Sequence, residues 1–94
     1  MAEWNFITRH AVALSLISDE PRITARELGE KMGITERAVR NIISDLYESG
    51  YIRKKREGRN VKYRVNKSQP LRQETHRDIE VGDLLASLGL NKKL

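Results

Sequence analysis

The chain contains no cysteine, which excludes a disulfide framework, a thiolate metal site and a cysteine nucleophile, and fits a protein made in a reducing cytoplasm. Aromatic residues are scarce: one Trp, one Phe and three Tyr among 94 residues. So few large side chains argue against a sheet-rich enzyme built around a deep substrate cleft. No apolar run approaches the roughly 20 residues that a bilayer span needs, and Glu3, Arg9 and His10 interrupt the first stretch, so neither a membrane segment nor a secretory signal is expected. The expected location is the cytoplasm. A chain of this length buries only about 60–65% of the surface that its unfolded form exposes. Its core is thin, and a second subunit would add to it.

Charge, in contrast, is abundant, at 33% of residues with a net of +5, and its distribution says more than its sum. Between Arg53 and Arg64 lie seven basic residues (Arg53, Lys54, Lys55, Arg56, Arg59, Lys62 and Arg64) and one acid, Glu57. The remaining eleven basic and twelve acidic residues nearly cancel. The whole positive excess therefore sits in one short segment, the pattern of a localised polyanion contact rather than of general solubilising charge.

Apolar periodicity predicts a first helix from about Asn5 to Asp19, with Trp4, Ile7, Ala11, Leu14 and Ile17 on one face, widened by Phe6, Val12 and Leu16. So wide a stripe predicts burial on two sides, against the domain and against a second subunit. Asp19-Glu20-Pro21 breaks this helix. Thr24-Ala25-Arg26-Glu27 is a T-x-x-E capping box opening a short helix with Ala25, Leu28 and Met32 inward and Gly33 at its end. Thr35 caps a third helix that turns Val39, Ile42, Ile43 and Leu46 inward and stops at Ser49-Gly50. Two short capped helices about a tight Met32-Gly33-Ile34 turn form a helix-turn-helix pattern.

After Gly50 the apolar period falls to two. Tyr51-Ile52-Arg53 opens a strand, Glu57 to Asn60 forms a turn, and Val61, Tyr63 and Val65 alternate with Lys62 and Arg64 in a return strand. This predicts a hairpin with an apolar and a basic face, joined by a third short strand around Arg22-Ile23-Thr24. Asn66 to Pro70 reads as a linker, with Pro70 at a helix start. Beyond it, Leu71, Ile79, Val81, Leu84, Leu85 and Leu88 describe a helical tail, bent near Gly82.

In a helix-turn-helix the second helix lies in the DNA major groove. Its outward residues are then Glu36, Arg37, Arg40, Asn41 and Ser44. Arg can donate twice to guanine, Asn can pair both ways with adenine, and Ser can serve either role. Thr24 and Thr35, at helix N-termini, are candidates for phosphate contact. On the hairpin, Arg56, Arg59 and Asn60 at the tip and Lys54 and Lys62 nearer its base can follow the backbone or enter the minor groove.

The segment from Ile34 to Leu46, continuing through Glu48-Ser49-Gly50-Tyr51-Ile52, resembles the recognition-helix signature of winged helix-turn-helix transcription regulators of the MarR-like and ArsR-like kind, and Arg53 to Val65 is similar to their wing. The likeness spans roughly Phe6 to Val65. The Trp in the first helix and the tail motifs Leu71-Arg72 and Val81-Gly82-Asp83-Leu84-Leu85 are similar to those of a small single-domain bacterial group. The resemblance implies a mainly α fold with a small antiparallel β wing, acting as a sequence-specific regulator on double-stranded DNA. It defines no small-molecule effector. The long terminal dimerisation helices of full-length MarR-like proteins are absent here, as are the cysteines of thiolate metal sensors.

Residues 1–69 are thus expected to form the DNA-binding domain, with a recognition helix at about 35–49 and a basic wing at 53–64. Residues 70–94 form a tail that joins the first helix in a homodimer interface. The rival reading is a winged-helix module for protein interaction or RNA binding. No enzyme is expected, because nucleophile-elbow, phosphate-loop and zincin motifs are missing. His10 and His76 stand far apart without cysteine, so neither metal nor cofactor is expected. Asp78, Glu80 and Asp83 read as the polar side of a helix, and Trp4 and Phe6 as core or interface residues.

Overall fold

The first three helices each begin at a threonine whose side chain satisfies an otherwise orphaned amide. A computed structural model of the protein describes residues 6–72 and 74–88, and in it the first helix, α1 (Arg9–Asp19), starts later than periodicity suggests. The Thr8 hydroxyl accepts from the Ala11 amide at 3.2 Å and fixes the start there. Phe6 and Ile7 consequently precede the helix, with Phe6 91% exposed, while Trp4 and Asn5 lie outside the described residues. Ala13, Leu14 and Ile17 are buried, and Val12 and Leu16 are half-buried. Ser15 is buried as well, its hydroxyl donating to the Val12 carbonyl at 2.7 Å.

The capping box forms in full. The Glu27 amide donates to the Thr24 hydroxyl at 3.1 Å, the Thr24 amide donates to the Glu27 carboxylate at 2.9 Å, and α2 (Ala25–Met32) follows. It ends at Gly33, which takes the left-handed φ of 73°. The Gly33 and Ile34 amides both donate to the Gly29 carbonyl, at 2.8 and 3.0 Å, folding the chain tightly into α3 (Glu36–Glu48). Thr35 caps α3 by accepting from the Ala38 amide at 3.1 Å. Val39, Ile42, Ile43 and Leu46 point inward as expected.

Strands β1 (Ile52–Glu57) and β2 (Asn60–Val65) pair antiparallel, from Ile52 opposite Val65 to Glu57 opposite Asn60. Their turn is Gly58-Arg59, with Gly58 at φ 62° in the first position, where a two-residue hairpin needs a left-handed residue. The expected third strand does not form, and the sheet has two strands among the described residues. The Ile23 amide turns back to the Glu20 carbonyl at 3.0 Å and Thr24 is committed to its cap. One bond of a ladder remains there, from the Tyr63 amide to the Pro21 carbonyl at 2.8 Å.

The tail departs furthest from a continuous helix. Pro70 bridges to Glu80 instead of starting a helix, and among the described residues of the tail a single 3₁₀ turn covers Glu74–His76 and only α4 (Val81–Ser87) is α-helical. The intervening amides are spent on non-local partners. Leu71 donates to Ile79, Val81 to Gln69 and Gly82 to Lys67, at 2.8–2.9 Å. The buried Tyr51 hydroxyl donates to the Pro70 carbonyl at 2.5 Å and fastens the segment to the core. Val81 and Leu85 join the one hydrophobic cluster that also holds Leu14, Ile17, Leu28, Val39, Leu46 and Ile52. Helices α2 and α3 with the β1–β2 wing, backed by α1 and α4, make a winged helix-turn-helix fold.

Candidate nucleic-acid interface

Alternation along α3 leaves a polar face opposite the buried stripe, and Glu36, Arg37, Arg40, Asn41 and Ser44 are all exposed on it. Arg40 forms a very short ion pair with Glu36 one turn back, and Ser44 sits 3.5 Å from the Glu48 carboxylate. Arg37 and Asn41 have no side-chain hydrogen bond or ion pair to another described residue, so their donors are available to a ligand without first breaking a protein contact.

Four contacts from other elements hold this helix. Nε2 of His10 on α1 lies 2.8 Å from the Asp45 carboxylate. Behind the C-terminal end of α3, the Ser49 carbonyl accepts from Gln69 at 2.9 Å and the Ser49 hydroxyl from Arg72 at 2.7 Å. On the wing side, the Lys54 ammonium stands 4.7 Å from the centre of the Tyr47 ring, a cation–π contact between recognition helix and wing. Tyr47, half exposed, was not apparent as a site residue from sequence. A lone tyrosine next to the buried stripe gives no signal until the strand that meets it is known.

The register divides the wing cations. Ile52, Lys54 and Arg56 share a face with Val61, Tyr63 and Val65, and this face packs toward the helices. Arg53, Lys55 and Glu57 share the opposite face with Asn60, Lys62 and Arg64. The expected apolar and basic faces are therefore a mixed face and a wholly polar one, because strand alternation from the buried Ile52 carries Lys54 and Arg56 inward with it. Of the residues anticipated for contact, Lys54 and Arg56 lie on the side of α3, Arg59 occupies the turn, and Asn60 and Lys62 lie on the far side.

Local chemistry modifies two further candidates. The Thr24 amide is occupied by Glu27, which leaves Thr24 its hydroxyl proton to offer a phosphate; Thr35 likewise retains its hydroxyl proton while its oxygen accepts from Ala38. The Glu27 carboxyl is held below its ordinary value, first by the backbone hydrogen bond from Thr24, so its negative charge persists at the N-terminus of α2. On the wing, the Glu57 carboxyl is lowered by the hydrogen bond from Arg22, 3.0 Å away, and further by the charges of Arg22, Lys62 and Lys55. Burial pushes the Tyr63 phenol up, opposed by the charge of Arg40.

Among the described residues, no group of three or more His, Asp or Glu side chains is arranged to hold a metal ion. His76 meets Thr75 at 2.7 Å, far from any such cluster. No described helix is long and apolar enough to cross a membrane.

Residues 13–53 match the family of winged helix-turn-helix DNA-binding domains. The match runs from α1 through the helix-turn-helix into the first residues of β1 and stops before the wing turn. No curated protein and no solved structure matches the chain. The helix-turn-helix geometry and this match agree on a DNA-binding winged helix-turn-helix.

Proposed function

We propose that this protein is a sequence-specific regulator of transcription, of the MarR-like and ArsR-like kind, that binds double-stranded DNA as a cytoplasmic homodimer. The observation that carries the reading is the exposed row Arg37, Asn41 and Ser44 on α3, flanked by Arg40 and by Lys54 and Arg56 on the neighbouring wing face. In the major groove, Arg40 and Asn41 suit base edges, with Arg37 and Ser44 beside them and Glu36 at the helix start. Thr24, Thr35, Lys54, Arg56 and the turn residue Arg59 serve the phosphates, with Asn60 and Lys62 behind them on the far face of the wing.

Residues 70–94 are proposed to complete the dimer together with the start of α1. Leu85 is consumed by the core, so the residues offered are Phe6, Ile7, Leu84 and Leu88, which retain exposed surface.

Selection of bound duplexes from a random pool tests the reading. The expected result is a palindromic site, whose preference relaxes in Arg40→Ala/Asn41→Ala while Arg59→Ala weakens all sequences alike. About five phosphates neutralised by each of two protomers would set a log–log salt slope of about −9. Recovery of no preferred sequence, or a slope near zero, would overturn the proposal.

A further inference from the structure

The far face of the wing carries more charge than the DNA-reading side requires, and it points away from α3. Arg53 lies directly opposite Arg64, and Lys55 opposite Lys62. Like charges in directly opposed positions destabilise a hairpin, and the charge of Glu57 offsets this in part, at Lys55 and Lys62. None of the four forms a salt bridge among the described residues, because the single acid on this face, Glu57, is engaged by Arg22 from the α1–α2 loop. The four line an open trough of about 1070 Å³ together with Lys67, with Ser18 and Pro21 near the end of α1, and with Ile17, Lys54, Tyr63 and Val65, which belong to the core or to the other strand face.

We infer that this trough is a second nucleic-acid surface, which takes the phosphate backbone of a second duplex while α3 occupies the first. The inference rests on the reading of α3 as the primary DNA contact. Side chains on opposite faces of a two-stranded ribbon point in opposite directions, so a duplex seated on α3 and Lys54 does not reach Arg53 and Arg64. Insertion of the wing into the same duplex does not bring them in. The minor groove is only about 6 Å wide, and Arg53 stands four residues back from Glu57, about 13 Å along the strand.

The chemistry of the face selects among polyanions. The strand face itself presents only Arg, Lys, Glu and Asn, and the apolar residues that border the trough, Ile17 and Val65, are spent in or against the core rather than offered as the central anchor that protein interfaces use. Single-stranded nucleic acid is held largely by stacking on aromatic rings, and the one aromatic residue that borders the trough, Tyr63, belongs to the other strand face and packs against the core. A double-stranded backbone needs neither. The two cationic rungs, about 6.8 Å apart, suit its regular charge.

The test is duplex bridging by the full chain. One duplex carrying the selected site is fixed to beads, a labelled random duplex is added, and its co-capture is read at matched occupancy of the first. Wild type is expected to co-capture the label, and Arg53→Ala/Arg64→Ala to lose it at least tenfold, with the salt slope of co-capture falling by about 2. These exposed substitutions relieve a repulsion, so thermal melting should be unchanged or raised. Arg40→Ala/Asn41→Ala should lose the preferred site but still hold random duplex through Arg53 and Arg64. That variant separates the two readings, since a chain with no preferred site that retains Arg53- and Arg64-dependent capture sinks the regulator and leaves the second surface standing. Absence of co-capture by wild type, co-capture that survives Arg53→Ala/Arg64→Ala, or displacement of the label by polyglutamate or single-stranded RNA more readily than by duplex of equal charge would each overturn the inference.

Discussion

Gly29→Ala tests whether the helix-turn-helix is set by backbone contact at the turn rather than by helix propensity. Gly29 is a buried, interior residue of α2, where Ala should be more stable by about 0.8–1 kcal/mol on propensity alone. The surroundings oppose that gain. A Cβ at this position would lie 2.9 Å from the Ile34 carbonyl oxygen and 3.5 Å from a Val39 methyl. Ordinary carbon–oxygen approaches are about 3.3–3.6 Å, so α2 and the turn must part by roughly half an ångström. The Gly29 carbonyl also accepts both the Gly33 and the Ile34 amides, and weakening either costs about 0.5–1.5 kcal/mol. Together with an overpacking cost of about 1–3 kcal/mol, and less the propensity gain, the variant should be less stable by about 0.5–3.5 kcal/mol net. For a domain of this size that is a fall in melting temperature of about 2–28 °C, measured by circular dichroism. Gly33→Ala is the control. It has a left-handed φ of 73° but no atom within 4 Å of its added Cβ, so its loss comes from backbone conformation alone. A Gly29→Ala protein that melts at or above wild type would refute the reasoning.

Two further outcomes follow from the same hydrogen bonds. The Glu27 carboxyl lies below its ordinary value of 4.5, held there mainly by the Thr24 amide. A depressed carboxyl stabilises the fold above that value and ceases to do so as pH falls through the lower folded value. Glu27→Gln should therefore melt below wild type near neutral pH, the gap closing as pH falls below 4.5; a gap constant with pH would refute this. Tyr51→Phe removes a buried donor from the Pro70 carbonyl, and should cost about 1–2 kcal/mol. Amide exchange at Leu71, Val81 and Gly82 should accelerate before that of α3, and uniform acceleration would contradict the tail's being fastened at this point.

The features legible in the sequence were those encoded within four residues. Thr24 with Glu27, Thr35 ahead of Ala38, and the left-handed Gly33 and Gly50 each act on their immediate neighbours, so the helix-turn-helix and its inward stripe could be placed from residue order alone. The start of α1 was missed because Thr8 outcompetes a favourable apolar period that extends further upstream. The division of the wing was missed for a different reason. Charge counting sees Arg53 to Arg64 as one block, whereas the register, anchored by buried Ile52 and the Gly58-Arg59 turn, sorts that block into two faces. Links such as His10 with Asp45 and Arg22 with Glu57, 35 residues apart in each case, leave no local trace. Nor does the tail, where the Val81 and Gly82 amides find partners on Gln69 and Lys67 and the Leu71 amide on Ile79.

Those long-range links bear most heavily on the recognition helix. Direct reading of bases requires donors held to within about 0.5 Å by elements whose own positions are fixed. Helix α3 is constrained at its start by the Gly29 turn, along one side by His10, on the wing side by Lys54 against Tyr47, and at its end by Gln69 and Arg72 on Ser49. The last pair belongs to the tail segment, which Val81 and Leu85 seat in the core. The apolar residues of the tail that a thin core seemed unable to absorb are thus partly spent behind α3. On the proposed reading, loosening the tail should degrade discrimination between sequences before it weakens general affinity, because the wing residues proposed for phosphate contact are ones that the tail does not hold.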